Sequence, residues 1–220
     1  MTPAYEVEGT RFEIRNTDLR LRWIYRIEPF VAAMALAAVL PAGIAIGAVI
    51  MILSRRSPLI RHERIGRLGK PLLMLKFRTM WGPHEPAGPY TLIQDIRAAP
   101  DGLKDEDDPR VTSTFAAICR RYSVDEIPQL YHVARGEMSL VGPRPITKEE
   151  LSKHYGAEAT DVLQLRPGIT GLWQIMGRNR LSYARRKKLD VLFVRRASPG
   201  LYFQILARTF PKVIFGHDAF

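Results

Sequence analysis

Between Pro29 and Leu53 the chain runs for 25 residues without a charge. A helix of that length rises about 38 Å, enough for a hydrocarbon core of about 30 Å, so this segment belongs in a membrane. Pro41 stands at its midpoint, with Gly43 and Gly47 just beyond. A proline inside a helix removes one backbone hydrogen bond and its ring collides with the preceding turn. Each arm flanking Pro41 covers only about 18 Å, roughly half a bilayer. That predicts a helix that enters the membrane, breaks near Pro41 and returns. A straight spanning helix is the competing reading, because membrane helices tolerate proline. The flanks bear on the choice: Arg15, Arg20, Arg22 and Arg26 come before the segment, and Arg55, Arg56, Arg61, Arg64, Arg67 and Lys70 come after it. Basic residues mark the cytoplasmic side, and here both flanks carry them.

The whole chain has 220 residues and a formal charge of +11, which points to an anionic partner: nucleic acid, a phosphorylated small molecule or an anionic membrane face. Cys119 is the only cysteine, so no internal disulfide can form. His62, His84, His132, His154 and His217 have no metal-ligand spacing, which argues against zinc. The first 28 residues mix five acidic with five basic side chains and are expected to remain as a cytoplasmic segment, not to act as a secretory leader. The predicted organisation is residues 1–28, the membrane helix 29–53, and a third part, 54–220.

Within that third part, Gly66 and Gly69-Lys70-Pro71 separate two short apolar runs between Leu59 and Thr79, which predicts a β-hairpin. Residues 81–112 read as a long loop that ends in the acidic run Asp105 to Asp108. Thr114 to Tyr122 and Asp125 to Arg135 read as helices, the second stopped by Gly136. Ile146 to Leu165 reads as another helix, started at Thr147. Arg166 to Gly171 and Gly177 to Arg180 read as loops. Leu181 to Arg196 is a basic helical pattern. In Leu201 to Phe215, Gln204, Arg208 and Lys212 form a narrow polar stripe on an otherwise apolar helix, either a membrane-interface helix or a core helix.

Asp125 and Glu126 are the most informative chemical feature. They sit in Ser123-Val124-Asp125-Glu126-Ile127-Pro128-Gln129-Leu130, just after Arg120-Arg121 and before Gly142-Pro143-Arg144-Pro145. Ser123 and Glu126 have the spacing of a capping box, a purely structural reading. Asp125 is not needed for that box. A carboxylate in the first turn of a helix, with arginines near, can attack phosphorus while its neighbour binds a metal or moves a proton. Attack on a diphosphate brings two anions together and calls for Mg²⁺ and guanidinium groups; Asp125 and Glu126 are the candidate metal ligands, Arg120 and Arg144 the candidate phosphate partners.

These residues assemble into a resemblance. Lys76-Phe77-Arg78-Thr79-Met80, Asp108-Pro109-Arg110-Val111-Thr112, the Ser123–Leu130 segment, Gly136 to Pro145, Arg166-Pro167-Gly168-Ile169-Thr170-Gly171 and Gly177-Arg178-Asn179 stand in the order found in the bacterial monotopic phosphoglycosyl transferases. The chain resembles that family over about residues 29 to 215. The resemblance implies an enzyme on the cytoplasmic face of the bacterial inner membrane. Such an enzyme moves a sugar 1-phosphate from a nucleotide diphosphate sugar onto polyprenyl phosphate, usually undecaprenyl phosphate, with Mg²⁺ as cofactor. It implies Asp125 as the nucleophile and Glu126 as its partner, with Arg120, Arg144, Lys76, Arg78, Arg166, Arg178 and Asn179 as phosphate or substrate contacts. It also implies a re-entrant helix broken at Pro41 and helices lying in the interface.

The expected fold is therefore α+β and predominantly helical, a monotopic membrane-associated fold with a re-entrant helix, interfacial amphipathic helices and a small β-hairpin, residues 54–220 forming the catalytic part. One departure stands out: family members often place a serine before the breaking proline, and here the residue is Leu40. The similarity of the closing segments to the exopolysaccharide-initiating branch points to UDP-galactose or UDP-glucose as donor and UMP as product. Membrane lipids are expected partners, nucleic acid is not, and a homodimer is left open. The alternative reading is a membrane-tethered basic protein that binds nucleic acid or anionic lipid.

Overall fold

The computed structural model describes residues 20–81, 91–96, 110–177 and 181–215. The apolar segment is part of one long helix, α1 (Arg22–Ser54), with Pro29 and Pro41 both inside it. It is long and apolar enough to cross a membrane. Phe30, Met34, Leu40, Ile44 and Ile52 are all more than half exposed, so much of its apolar surface finds no protein to cover it. Arg55 closes the helix in the left-handed conformation and donates its N–H back to Met51.

The predicted hairpin is present. Strands β1 (Leu59–Ile65) and β2 (Pro71–Phe77) pair antiparallel from Leu59 opposite Phe77 to Ile65 opposite Pro71. The turn between them carries Leu68 and Gly69 at positive φ, and the Gly66 N–H donates to the Lys70 carbonyl. A third strand, β3 (Ile93–Ile96), pairs parallel with β1, giving the order β2-β1-β3. The 81–112 region, expected as loop, thus contributes an edge strand. It was unreadable because its partner lies some thirty residues upstream and four residues carry little periodicity. The acidic run Asp105 to Asp108 lies outside the described residues.

Helix α2 (Thr114–Arg121) is capped by Ser113, whose side chain accepts from the Ala116 N–H. A 3-10 helix, Val124–Gln129, follows and leads into α3 (Leu130–Ala134). Strand β4 (Ser139–Val141) then pairs parallel with β5 (Gly168–Thr170). The Arg166 to Gly171 segment, expected as a loop, is therefore partly a strand: its Pro-Gly signal marks a turn, but the pairing with β4 is non-local. The single helix expected over Ile146 to Leu165 is broken. Thr147 and Glu150 form a full capping box over Lys148–Glu150, then the chain widens into a π-turn at Leu151–Tyr155, and Gly156 at φ +49 ends the run before Ala159–Val162. Helices α4 (Tyr183–Arg196) and α5 (Pro199–Phe215) complete the fold.

Three buried clusters tie these elements together. Leu21, Ile24 and Tyr25 from the root of α1 pack with Val141, Leu165, Phe193, Tyr202 and Ile205. Ala32, about two turns further along α1, packs with Leu72, Met74, Val133 and Met138. The third cluster joins Ile65 and Ile146 to the broken helix and to Val191 of α4. Helix α5 turns out two-sided: Tyr202 and Ile205 are buried, whereas Phe203 and Phe210 point outward, with Trp23 of α1 packed against Phe203 at a ring separation of 6.0 Å.

Candidate functional site

Asp125 and Glu126 lie in the first turn of the 3-10 helix. Ser123, the residue before it, adopts the left-handed conformation at φ +54, and its side chain makes no cap bond. The capping box does not form. A capping residue needs extended backbone to aim its oxygen at the third amide, and the left-handed turn at Ser123 removes that geometry. Glu126 is thereby released from the cap and reaches the sheet.

There it meets Lys76. The Lys76 ammonium donates to Glu126 Oε1 at 3.0 Å and stands 4.0 Å from Asp125 Oδ2. Asp125 is only 3 % exposed, and its other oxygen, Oδ1, is buried without a hydrogen-bond partner. A buried acceptor left bare is costly in a folded protein. The Asp125 charge is also felt by its neighbour: burial first, then Asp125, pushes the Cys119 thiol up to about 11.

The strand alternation sets what else faces the pair. Lys76 lies opposite Ile60, and His62 opposite Met74, so Lys76 and His62 share one face of the sheet. Burial, then the charges of Arg64, Lys76 and Arg78, drives the His62 imidazole down to about 3, which leaves it neutral at physiological pH. Its Nδ1 is buried without a hydrogen-bond partner. A neutral imidazole among three cations is an electrostatic setting for a polyanion.

The other sequence-derived candidates fall in different places. Arg120 is buried in the last turn of α2, which packs directly on the 3-10 helix. Arg78 donates from Nε to the Ser57 carbonyl at 2.8 Å and from Nη2 to Gln94, holding the end of β2 to β3. Arg166 lies over the Tyr25 ring at 4.6 Å and donates to the Tyr25 carbonyl, at the root of α1. Arg144 belongs to a second cluster: its guanidinium lies 5.3 Å from the Trp173 ring and 4.0 Å from Glu150, and its backbone N–H donates to Asp190. Arg178 and Asn179 lie outside the described residues.

Two further side chains escaped the sequence reading. Glu28, 4 % exposed at the edge of the apolar segment, accepts from Ser139 Oγ at 2.8 Å, from the Leu140 N–H at 2.7 Å and from the Tyr202 hydroxyl. It binds the root of α1 to β4 and α5. A lone carboxylate abutting 25 uncharged residues was the available signal. His132 is the second: it is buried on α3, and its Nε2 accepts from the Leu75 N–H.

Among the described residues no group of three or more His, Cys, Asp or Glu side chains converges. Asp125 and Glu126 nevertheless offer the donor set that Mg²⁺ takes, one or two carboxylates with the remaining positions left to substrate phosphate and water. The bare Asp125 Oδ1 fits that use.

Comparison with known proteins gives a consistent result. The profile of the family described as bacterial sugar transferase matches residues 21–216. The chain is 38% identical over 196 residues to the "Exopolysaccharide production protein ExoY" of Rhizobium meliloti (strain 1021), covering 86% of this chain and 84% of that protein. It is 36% identical over 198 residues to the "UDP-galactose-lipid carrier transferase" of Erwinia amylovora, covering 88% of this chain and 41% of that protein. With the "Undecaprenyl-phosphate glucose phosphotransferase" of Komagataeibacter xylinus it shares 34% identity over 199 residues, 86% of this chain and 35% of that protein. The chain thus spans most of the first relative and well under half of the other two. With a family match that takes in the membrane helix, the Asp125–Glu126 segment and both cationic clusters, the chain belongs to the bacterial sugar transferase family.

Proposed function

We propose that this sugar transferase moves a hexose 1-phosphate from a nucleotide diphosphate sugar to polyprenyl phosphate through a covalent intermediate on Asp125. The observation that carries the reading is the buried Asp125, with one bare oxygen, Glu126 beside it and Lys76 between them. In the first step an Asp125 oxygen attacks the phosphorus that bears the sugar. The bond from that phosphorus to the bridging oxygen breaks, and the bridging oxygen leaves with the nucleoside monophosphate. In the second step a polyprenyl phosphate oxygen attacks the same phosphorus and frees the Asp125 carboxylate. No net proton is needed in either step.

Lys76 offsets the repulsion between carboxylate and diphosphate as they approach, and Arg120 adds charge from the adjoining helix. Glu126 holds Lys76 in place and shares with Asp125 the role of metal ligand. Mg²⁺ bound there would neutralise the diphosphate and polarise the phosphoryl oxygen. UDP-galactose and UDP-glucose are the proposed donors, in line with the activities named for two of the relatives.

The site would sit at the cytoplasmic face of the inner membrane, with α1 bent near Pro41. The helix is continuous through Pro41, and both of its arms lie along the same sheet: Ala32 packs on Leu72 and Met74, and Gly43 and Gly47 approach Phe77 and Pro58. Exposed Trp23, Phe30, Phe203 and Phe210, with Arg20, Arg22, Arg26 and Arg208 near them in sequence, make the amphipathic surface that an interfacial protein presents to headgroups.

Purified protein in nanodiscs, supplied with Mg²⁺, UDP-galactose or UDP-glucose and undecaprenyl phosphate, is expected to release UMP. Without acceptor, the intact mass should rise by one phosphohexose. Asp125→Asn should lose both signals, and full turnover in that variant would remove Asp125 from the nucleophile's role.

A further inference from the structure

We propose that His132 is a positioning residue that sets the height of Lys76 over the Asp125–Glu126 pair. Its imidazole clamps the free edge of the strand that carries the lysine. The inference rests on the transferase reading for its functional half, and on geometry alone for its structural half.

Strand β2 is the outer strand of its sheet, with β1 on one side only. An edge strand leaves every second backbone N–H without a ladder partner. The N–H of Leu75, the residue immediately before Lys76, donates to His132 Nε2 at 3.1 Å. His132 is 4 % exposed, and it lies on α3, the direct continuation of the 3-10 helix that bears Asp125 and Glu126. One bond thus ties the backbone next to the cation to the stretch of chain that carries both carboxylates.

The direction of that bond is built in. His132 Nδ1 stands 2.7 Å from Glu137 Oε2. A carboxylate only accepts, so Nδ1 carries the proton and Nε2 presents its lone pair to Leu75. Glu137 is itself fixed: its Oε1 accepts from Arg135 Nε at 2.9 Å, and its backbone N–H, with that of Met138, donates to the His132 carbonyl. Gly136 at φ +71 makes the tight return that brings Glu137 back beside the ring. Arg135 also lies over Tyr131, whose ring meets His132 edge-on at 5.4 Å. The chain of contacts ends at one strand amide.

Lys76 needs such support. An ammonium on a four-carbon stem is a flexible point charge, and its separations from the two carboxylates depend on where the strand holds its Cα. A misplacement of about 1 Å at a charged site can reduce turnover by roughly 100-fold.

The test uses the full-length protein in nanodiscs, with two readouts. Amide exchange at Leu75 should be slow in the wild type and in His132→Gln, whose side-chain oxygen can accept the same N–H, and fast in His132→Phe. UMP release should fall roughly 10- to 100-fold in His132→Phe and recover in His132→Gln. Lys76→Met should fall at least as far, and Lys76→Met combined with His132→Phe should be no worse than Lys76→Met alone, because the two act as one unit. Fast Leu75 exchange in the wild type would overturn the clamp. Independent, multiplying losses in the double variant would overturn its link to Lys76. If the wild type turned over no nucleotide sugar, the transferase reading would fail and take the functional half of the proposal with it, while slow Leu75 exchange would still show the clamp itself.

Discussion

Asp190 is fully buried in α4 and faces two donors, the Arg144 backbone N–H and the Tyr155 hydroxyl. Burial pushes its carboxyl up from 3.8 to about 7, against the lowering effect of those donors and of Arg144 and Arg186. Between these two values the folded protein holds a proton that the unfolded chain has released. Its contribution therefore favours folding most below about pH 4, declines as pH rises, and levels off above about pH 7, a span of about 4 kcal/mol. Asp190→Asn should abolish this decline, so the variant's unfolding temperature relative to that of wild type should rise from pH 4 to pH 7. Thermal unfolding across that range checks it, and a constant difference would reject the assignment. At this scale the sequence was informative about residue types and silent about partners. Asp125, Glu126 and Lys76 all stand in recognisable motifs, yet Lys76 and Glu126 are 50 residues apart in the chain. Their meeting depends on a strand register that no local pattern encodes. Arg78 and Arg166 stand in equally recognisable motifs, and the bonds described for them hold backbone carbonyls and fold joints. A motif marks a residue as constrained without saying whether chemistry or architecture constrains it.

Strands β4 and β5 show the same ambiguity for whole segments. Gly142-Pro143-Arg144-Pro145 and Arg166-Pro167-Gly168 read as stiff, turn-rich loops, and they run back to back. The Gly142 N–H donates to the Thr170 carbonyl and the Gly168 N–H to the Pro143 carbonyl, both at 2.9 Å. A Cβ on Gly168 would fall 2.1 Å from the Gly142 nitrogen, a backbone atom that cannot step aside. Gly168→Ala is therefore expected to destabilise the protein by roughly 3 kcal/mol. Gly200 is a useful contrast, with nothing within 4 Å of its added Cβ and a place in the first turn of α5. Gly200→Ala should leave the unfolding temperature unchanged or raise it slightly. Comparable losses in both variants would contradict the close-approach argument. The hairpin and the Thr147 cap were legible because their signals are local: a glycine turn between apolar runs, and a threonine three residues before a glutamate. The same cap signal at Ser123 misled, since the backbone there turns left-handed and spends Glu126 on Lys76 instead.

At the scale of the molecule, the question is how one apolar helix seats this body on a membrane. Its root is fixed by Glu28, bonded to Ser139, Leu140 and Tyr202, and by Arg166 stacked on Tyr25. Its far end is fixed as well: Ile50 is fully buried, Gly47 approaches Pro58, and Arg55 turns the chain straight into β1. A straight helix of 33 residues is about 50 Å long, and crossing the bilayer would carry one end away from the body that both ends touch. The proposed bend near Pro41 would remove that conflict, place the exposed Phe30, Met34, Leu40 and Ile44 in hydrocarbon, and keep the arginines of both flanks on one side. It would also put the Asp125 site at the depth where the proposed substrates, a water-soluble nucleotide sugar and a lipid phosphate, can meet. In a Cys119→Ala background, single cysteines in place of Arg22 and Arg56 test this. Both should resist a membrane-impermeant maleimide in intact cells and react in inverted vesicles. Labelling of the Arg22→Cys variant from outside the cell would make α1 a spanning helix, and the site would then lie beside a membrane anchor instead of on a returning arm.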